Sequence, residues 1–244
     1  MECKTSNIKE FNSILHLMNN YNENVKFECT KDGIMSQCLA DAGTCIVQIT
    51  IDPLYFTEYN CERDHVICLN IKILHTILKK CSKEDSLSLK TKDNILVMTI
   101  FNDSNVTTYE IKMIDLDQDL LEIPELEYNL SCMIHATVLK TWKDMIEITG
   151  ESINFQPKEN VLEITSQSDN HTMKRLEKME FITYNEPGSF KLSHKSMSMI
   201  CSMLMFKKDI CLSYQNNTPI QLSFDLDNIK IESWFAPMVD MEED

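Results

Sequence analysis

The pattern that most constrains this chain is a repeat in the order of its periodic segments. Phe11, Ile14, Leu15 and Met18 recur near 3.6 residues, which predicts a helix near residues 8–19. A strand follows, then the turn Lys31-Asp32-Gly33, then a second strand. Val138, Leu139, Trp142, Met145 and Ile146 predict another helix near 136–147, again followed by strand, turn (Lys158-Glu159-Asn160) and strand. The two turns lie 127 residues apart. A second pair of helices is expected where Ile71, Leu74, Ile77, Leu78 and Cys81, and then Leu192, Met199, Ile200, Met203 and Leu204, repeat at the same period. Each precedes a hairpin, Leu87–Leu89 with Ile95–Ile100 and Ile210–Tyr214 with Ile220–Leu226.

A repeat of this kind predicts an α+β chain of two similar helix-plus-sheet domains in tandem. The boundaries are read as 1–112 for the first domain, 113–128 for a connector and 129–244 for the second. The connector runs from Met113 to Tyr128, is acidic, holds one proline and reads as extended. With 43% apolar residues in 244, each half can fill a core.

Composition removes several classes of function. Gly33, Gly43, Gly150 and Gly188 are too scattered for a phosphate loop or a dinucleotide fingerprint. Ten cysteines include no C-x-x-C pair and sit in apolar runs such as Val66-Ile67-Cys68-Leu69, so they read as small buried hydrophobes of a reducing compartment. Asp115-x-Asp117-x-Asp119 opens like a calcium loop, but Leu120 and Leu126 stand where glycine and glutamate are required. The histidines show no metal-ligand spacing. No catalytic residues, no metal and no cofactor are expected, and a thiol- or metal-dependent enzyme is set aside. No apolar run approaches 18 residues and the N-terminus lacks a signal core, so the expectation is a soluble intracellular chain with no membrane partner.

Charge is the awkward feature. Thirty-eight acidic against 23 basic residues give a net charge of −15, which as a bulk property repels nucleic acid. By position the picture differs. Residues 71–83 carry Lys72, Lys79, Lys80 and Lys83 without an acid, and residues 190–208 carry Lys191, Lys195, Lys207 and Lys208 without an acid. Both stretches are expected to be helical, and Lys140 and Lys143 lie on the third helix. Two readings stand here: ordinary solvated helix faces, or helices that together present a basic surface to a polyanion. Nothing is built for base readout, so any DNA contact would be sequence-independent.

At this point the residues resemble a known family. Tyr109-Glu110-Ile111-Lys112-Met113-Ile114-Asp115-Leu116-Asp117, Ile123-Pro124-Glu125-Leu126-Glu127-Tyr128, Tyr59-Asn60-Cys61-Glu62-Arg63, Ile77-Leu78-Lys79, Asn185-Glu186-Pro187 and Trp234-Phe235-Ala236-Pro237 with its acidic tail are similar to motifs of the eukaryotic-type DNA sliding clamp, the proliferating cell nuclear antigen (PCNA) family. They keep family order along nearly the whole chain. The resemblance implies the DNA-clamp fold, with helices lining a ring and sheets outside. It implies a positively charged interior threaded by double-stranded DNA, a homotrimer, a processivity factor for DNA polymerase, a platform for the clamp loader and repair proteins, and a nuclear location (or a host replication compartment for a viral chain).

Carried over by position, the resemblance puts Lys79, Lys140, Lys143 and Lys195 on the DNA-facing surface, with Lys72, Lys80, Lys191 and Lys9 nearby. Asn12, Ser13, Asn19 and Ser202 stand where family members commonly carry lysine, which implies a weaker grip. Partner peptides would dock on Leu39, Thr44, Ile46, Leu121, Ile123, Pro124, Tyr128, Pro219, Trp234, Ala236, Pro237 and Met238. Gly43, Thr44, Trp234 and Met238 depart from the usual residues of that groove. Subunit edges map to about Val106–Lys112 and Asn170–Leu176, the second one shortened, and Lys158 aligns with a lysine that members use for ubiquitin attachment. An alternative keeps the fold: a subunit of a heteromeric checkpoint ring, or a divergent viral factor that is not a homotrimer.

Overall fold

A computed structural model describes residues 1–40, 43–117, 120–149, 152–168, 170 and 172–238. Along the first half run β1 (Glu2–Thr5), α1 (Ile8–Asn19), β2 (Asn24–Thr30), β3 (Gly33–Leu39), β4 (Cys45–Ile51), β5 (Glu58–Asn60), β6 (His65–Asn70), α2 (Ile71–Leu78), β7 (Ser86–Lys92), β8 (Ile95–Phe101) and β9 (Val106–Lys112). Along the second run β10 (Leu130–Ile134), α3 (Ala136–Thr149), β11 (Ser152–Lys158), β12 (Val161–Gln167), β13 (Thr172–Lys178), β14 (Phe181–Tyr184), β15 (Phe190–Ser193), α4 (His194–Ser202), β16 (Ile210–Tyr214), β17 (Ile220–Leu226) and β18 (Ile229–Phe235). The chain divides into two compact units: Met1–Asp41 with Ile46–Leu121 and Asp225–Ile231, and Ala42–Cys45 with Glu122–Phe224 and Glu232–Asp244.

The two halves repeat one topology. In the first, strands lie in the orders β5-β1-β7-β8-β9 and β4-β3-β2-β6; in the second, β14-β10-β16-β17 and β13-β12-β11-β15. Neighbours are antiparallel, as in β2–β3, where Cys29 opposes Ile34 and Thr30 opposes Gly33. That tight turn requires glycine. Gly33 has φ +129°, and a Cβ there would come 2.2 Å from the Ile51 carbonyl oxygen. The matching turn of the second half joins Lys158 to Val161, with Asn160 in the left-handed region at φ 61°.

Each helix buries one stripe. α1 buries Ile8, Phe11, Ile14, Leu15, Leu17 and Met18, and α2 buries Ile71, Leu74 and Leu78. In the second unit Leu139, Trp142, Met145 and Ile146 of α3 and Met197, Met199, Ile200 and Cys201 of α4 are buried. An aromatic ladder runs through that core: Trp142 to Phe155 at 5.0 Å, Phe155 to Phe190 at 5.0 Å and Phe190 to Tyr214 at 4.7 Å between ring centroids. All ten cysteines are unbridged, and eight are buried. Burial pushes the Cys3, Cys29, Cys38, Cys132 and Cys201 thiols up to about 12, so they pack as apolar groups and not as nucleophiles. Among the described residues no helix is long and apolar enough to cross a membrane.

Three local expectations are corrected. Leu192 lies in β15, and α4 begins after Ser193, whose hydroxyl accepts the Ser196 N–H at 3.1 Å as an N-cap. Met203–Phe206 form a 3₁₀ turn, so the acid-free stretch 190–208 is strand, helix and turn in succession. α2 ends at Leu78, which leaves Lys80 and Lys83 beyond the helix. The second exposed edge is β13, which spans Thr172–Lys178 and pairs with β12 over seven residues, from Val161↔Lys178 to Gln167↔Thr172.

Candidate nucleic-acid interface

The lysines expected to face DNA fall at telling places on their helices. Lys9, Lys72 and Lys195 each occupy the second position of α1, α2 and α4. A cation in the first turn opposes the helix dipole, by about 0.3–1 kcal/mol at the surface. Helix stability therefore does not explain these lysines. Lys79 is the C-cap of α2 and Lys80 follows it, both exposed. Lys140 of α3 is exposed as well. Among the described residues Lys9, Lys79, Lys80, Lys140 and Lys195 make no ion pair.

Two others are tethered. Lys72 lies 3.7 Å from Glu23, and Lys143 lies 3.8 Å from Glu147 one turn along α3. Both pairs are exposed, so each is worth well under about 1 kcal/mol and leaves the lysine available. Lys191 is half-buried on β15, not on a helix, and its carbonyl accepts the Met238 N–H at 2.8 Å. Its place in the strand separates it from the exposed helix-borne lysines.

The α1–α2 face holds a feature that sequence reading missed. The rings of His16 and His75 stack at 4.8 Å with planes 10° apart. His75 Nδ1 lies 2.9 Å from Asn12 Oδ1. Burial, then His16 and Lys79, pull the His75 imidazole below its ordinary value. Only the spacing of Asn12 to His16 and of His75 to Lys79, four residues in each case, hinted at shared faces.

The connector residues 113–117 and 120–128 form no helix or strand. In the first unit the Met113 N–H donates to the Asn94 carbonyl at 3.0 Å and the Ile114 N–H to Cys68 at 2.9 Å. Further along, buried Gln37 grips the Leu121 backbone at two points. Its Oε1 accepts the Leu121 N–H at 2.8 Å, and its Nε2 donates to the Leu121 carbonyl at 3.1 Å. In the second unit the Tyr128 hydroxyl donates to Gln221 Oε1, and Gln221 Nε2 donates to Glu232 at 3.0 Å. Burial pushes the Tyr128 phenol up, so it remains a donor at neutral pH.

The residues expected to receive partner peptides divide by exposure. In the first unit Leu121 is 46% exposed, while Leu39 and Ile46 are half-buried. In the second unit Thr44, Pro124, Pro219, Ala236 and Met238 are exposed, Ile123, Tyr128 and Pro237 are half-buried, and Trp234 is buried at 8%. The Ala236 N–H donates to the Thr44 carbonyl at 2.8 Å.

Two strand edges carry exposed apolar side chains: Val106 and Tyr109 on β9, and Leu176 on β13. Lys158 is no free turn lysine. Its Nζ lies 2.6 Å from Glu163 Oε2, whose other oxygen takes Lys174 at 2.9 Å, and these two partners hold the Glu163 carboxyl below its ordinary value. Among the described residues no group of three or more His, Cys, Asp or Glu can hold a metal ion.

Known proteins are similar to this chain in sequence and fold. The family model described as proliferating cell nuclear antigen, N-terminal domain, matches residues 1–121. The chain is 23% identical to proliferating cell nuclear antigen of Saccharomyces cerevisiae over 260 aligned positions, covering 100% of both chains. It is 23% identical to that of Chaetomium thermophilum over 91% of each chain. It is 22% identical to DNA polymerase sliding clamp 2 of Thermococcus kodakarensis, covering 77% of this chain and 72% of that one. The crystal structure of proliferating cellular nuclear antigen from Entamoeba histolytica superposes with a TM-score of 0.90 at 17% identity, over 98% of each chain. With its first half matched by the family model, its relatives aligned end to end and its fold shared throughout, the chain belongs to the PCNA family of sliding clamps.

Proposed function

We propose that this sliding clamp of DNA replication encircles duplex DNA as a ring of three identical chains and tethers polymerase and other proteins to it. The observation that carries the reading is the set of exposed lysines at helix positions where the helix dipole disfavours them. Such lysines meet phosphates without reading bases, and a clamp that slides needs that indifference, since each base-specific contact of about 1–3 kcal/mol would act as a brake. The acidic surplus elsewhere keeps DNA off the remaining surface.

Ring closure is supported by the free edges. An unpaired strand edge with exposed apolar side chains invites another chain. β9 of one protomer and β13 of the next are each seven residues long, and head-to-tail pairing of unlike edges generates closed rings when the rotation permits. Partner peptides dock beside the connector at Leu121, Ile123, Pro124 and Met238, with Gln37 fixing the backbone of Leu121. The reading keeps domain boundaries at 112 and 128, supported by described connector residues that form neither helix nor strand, and takes the nucleus as the location expected from the fungal relatives. Light scattering tests the assembly. Three chains of 28.4 kDa give about 85 kDa. A stable 28.4 kDa species at micromolar concentration overturns the ring.

A further inference from the structure

Of the histidines with described ion pairs, His135 has a carboxylate of its own, Asp209, at 2.8 Å. The stacked pair on the α1–α2 face is built differently. His75 is met by an amide oxygen, by a second imidazole and by the Lys79 cation one turn along, and no ion pair of a carboxylate with His16, His75 or Lys79 occurs among the described residues. The other charged groups of these helices are accounted for. On α1, Lys9 is exposed and Glu10 accepts from Asn7 Nδ2 at 2.8 Å. On α2, Lys72 lies 3.7 Å from Glu23 of the loop between α1 and β2, and Lys80 stands exposed past the helix end.

The hydrogen bond decides the tautomer. Asn12 Oδ1 can only accept, so Nδ1 of neutral His75 carries the hydrogen and Nε2 is left bare. A phosphate oxygen also only accepts. Nε2 can bond a phosphate only after taking a proton, and the imidazolium so formed stacks on the neighbouring ring of His16 as a cation on a π face. Without an anion the extra charge is opposed by the Lys79 cation; with one, the missing counter-charge is supplied.

We propose that His16 and His75 form a proton-linked phosphate contact, in which duplex DNA lying on the α1–α2 face draws a proton from solvent onto the stacked pair. The proposal rests on the reading that this face meets DNA. It assigns a role to α1, which lacks lysine at Asn12, Ser13 and Asn19. Linkage fixes the sign: a bound state that holds more protons than the free state is favoured as pH falls, by up to about tenfold per pH unit for one proton.

The test is the affinity of the whole protein for a 30-bp duplex of arbitrary sequence, at constant low ionic strength, from pH 8 to pH 6. His16→Gln/His75→Gln is compared with the unsubstituted chain, after circular dichroism has shown that both are folded. The unsubstituted chain should gain severalfold more affinity across this range than the double variant. Its histidine ring NMR signals should report a rise in the His75 pKa on addition of duplex. Parallel pH profiles, with no rise, overturn the proposal. Lys79→Glu/Lys140→Glu/Lys195→Glu separates this failure from the larger one. If the triple variant binds duplex weakly while the histidine variant keeps the original pH profile, only the histidine assignment falls. If the triple variant binds as the unsubstituted chain does, the helix faces do not meet DNA and both readings fall.

Discussion

The two units carry one topology with different chemistry on it. The first packs α1 and α2 over an aliphatic and thiol-rich core, with Cys3, Cys29, Leu15, Leu87 and Met98 among its buried residues. The second is built around the Trp142-Phe155-Phe190-Tyr214 ladder. Their helix surfaces differ as well. α2 carries no acid, and its unit adds imidazoles at His16 and His75. α3 mixes Lys140 and Lys143 with Asp144 and Glu147. A duplicated fold therefore constrains where charge can be placed but not which groups supply it. The first unit adds a stacked imidazole pair to its lysines, and α3 of the second sets acid beside its own.

The largest effect expected from this contrast lies in the cores. Trp142 is 2% exposed and packs at a tilt against Phe155, so Trp142→Ala should destabilise the second unit by about 3–5 kcal/mol. Leu15→Ala in the first unit should fall within about 2–5 kcal/mol. Trp142 Nε1 has no partner among the described residues, so Trp142→Phe removes an unpaired donor along with some apolar area. It should cost less than half as much as the alanine change. Chemical denaturation followed by residue-resolved hydrogen exchange measures each unit. Equal losses for Phe and Ala would mean that the indole position, not the ladder, stabilises the core.

How much of this was legible in the sequence depends on the range of the interaction. α1 was readable end to end because Phe11, Ile14, Leu15 and Met18 face a single core at helical period. The start of α4 was misread because Leu192, a buried strand residue, happens to continue the helical period, while the actual signal was the N-cap serine Ser193. That shift moved Lys191 off the helix. The stacked histidines and the Gln37 grip were out of reach: Asn12 and His75 are 63 residues apart, and Gln37 and Leu121 are 84. Such contacts exist only once helices and connector are packed.

The connector offers the next largest effect, because it separates contact from positioning. Leu121→Ala with Ile123→Ala removes apolar side chains that a partner peptide would cover and should weaken its binding at least tenfold, by about 1.4 kcal/mol or more. Gln37→Ala touches no peptide but removes two hydrogen bonds to the Leu121 backbone, each worth about 0.5–1.5 kcal/mol, and should weaken binding severalfold. Gln37→Glu keeps the acceptor for the Leu121 N–H and loses the donor to its carbonyl, so it should fall between. Calorimetric titration with a clamp-binding peptide reads all three. Undiminished affinity in the leucine–isoleucine variant would place the docking surface elsewhere.

Acid should distinguish the units in sequence. The His75 pKa is lowered in the folded state, so the unfolded chain binds its proton first. Free of DNA, the first unit should lose stability as pH falls through the ordinary histidine value, and His75→Gln should remove that loss. Glu163 is also lowered, by Lys158 and Lys174. Its contribution is present above the ordinary carboxylate value and disappears only as pH falls through the lowered one, so the second unit should hold out to more acidic pH. Thermal melts of the two variants His75→Gln and Glu163→Gln across pH 7 to 3 check the order. Loss of the second unit's stability at near-neutral pH would contradict it.

The smallest expected effect bears on the tethered lysines, one in each unit. Glu23 lies 3.7 Å from Lys72 and Glu147 lies 3.8 Å from Lys143, all at exposed positions. Glu147→Gln removes an i,i+4 pair worth about 0.3–0.5 kcal/mol in a helix, so stability should change by no more than that. Duplex affinity should rise about twofold, because one repelling charge leaves the lysine-bearing surface. Glu23→Gln should do the same for the first unit, with an even smaller stability change, since no helix pair is broken. Both gains should vanish near 0.5 M salt, where the screening length shrinks to about 4 Å. If Glu147→Gln raises affinity and Glu23→Gln does not, the permanent charge of the second unit dominates DNA holding and the first unit's share is left to its histidines. If the reverse holds, the acid on α3 is too far from the phosphates to matter, and the first unit's acid-free helix carries the larger part of the grip.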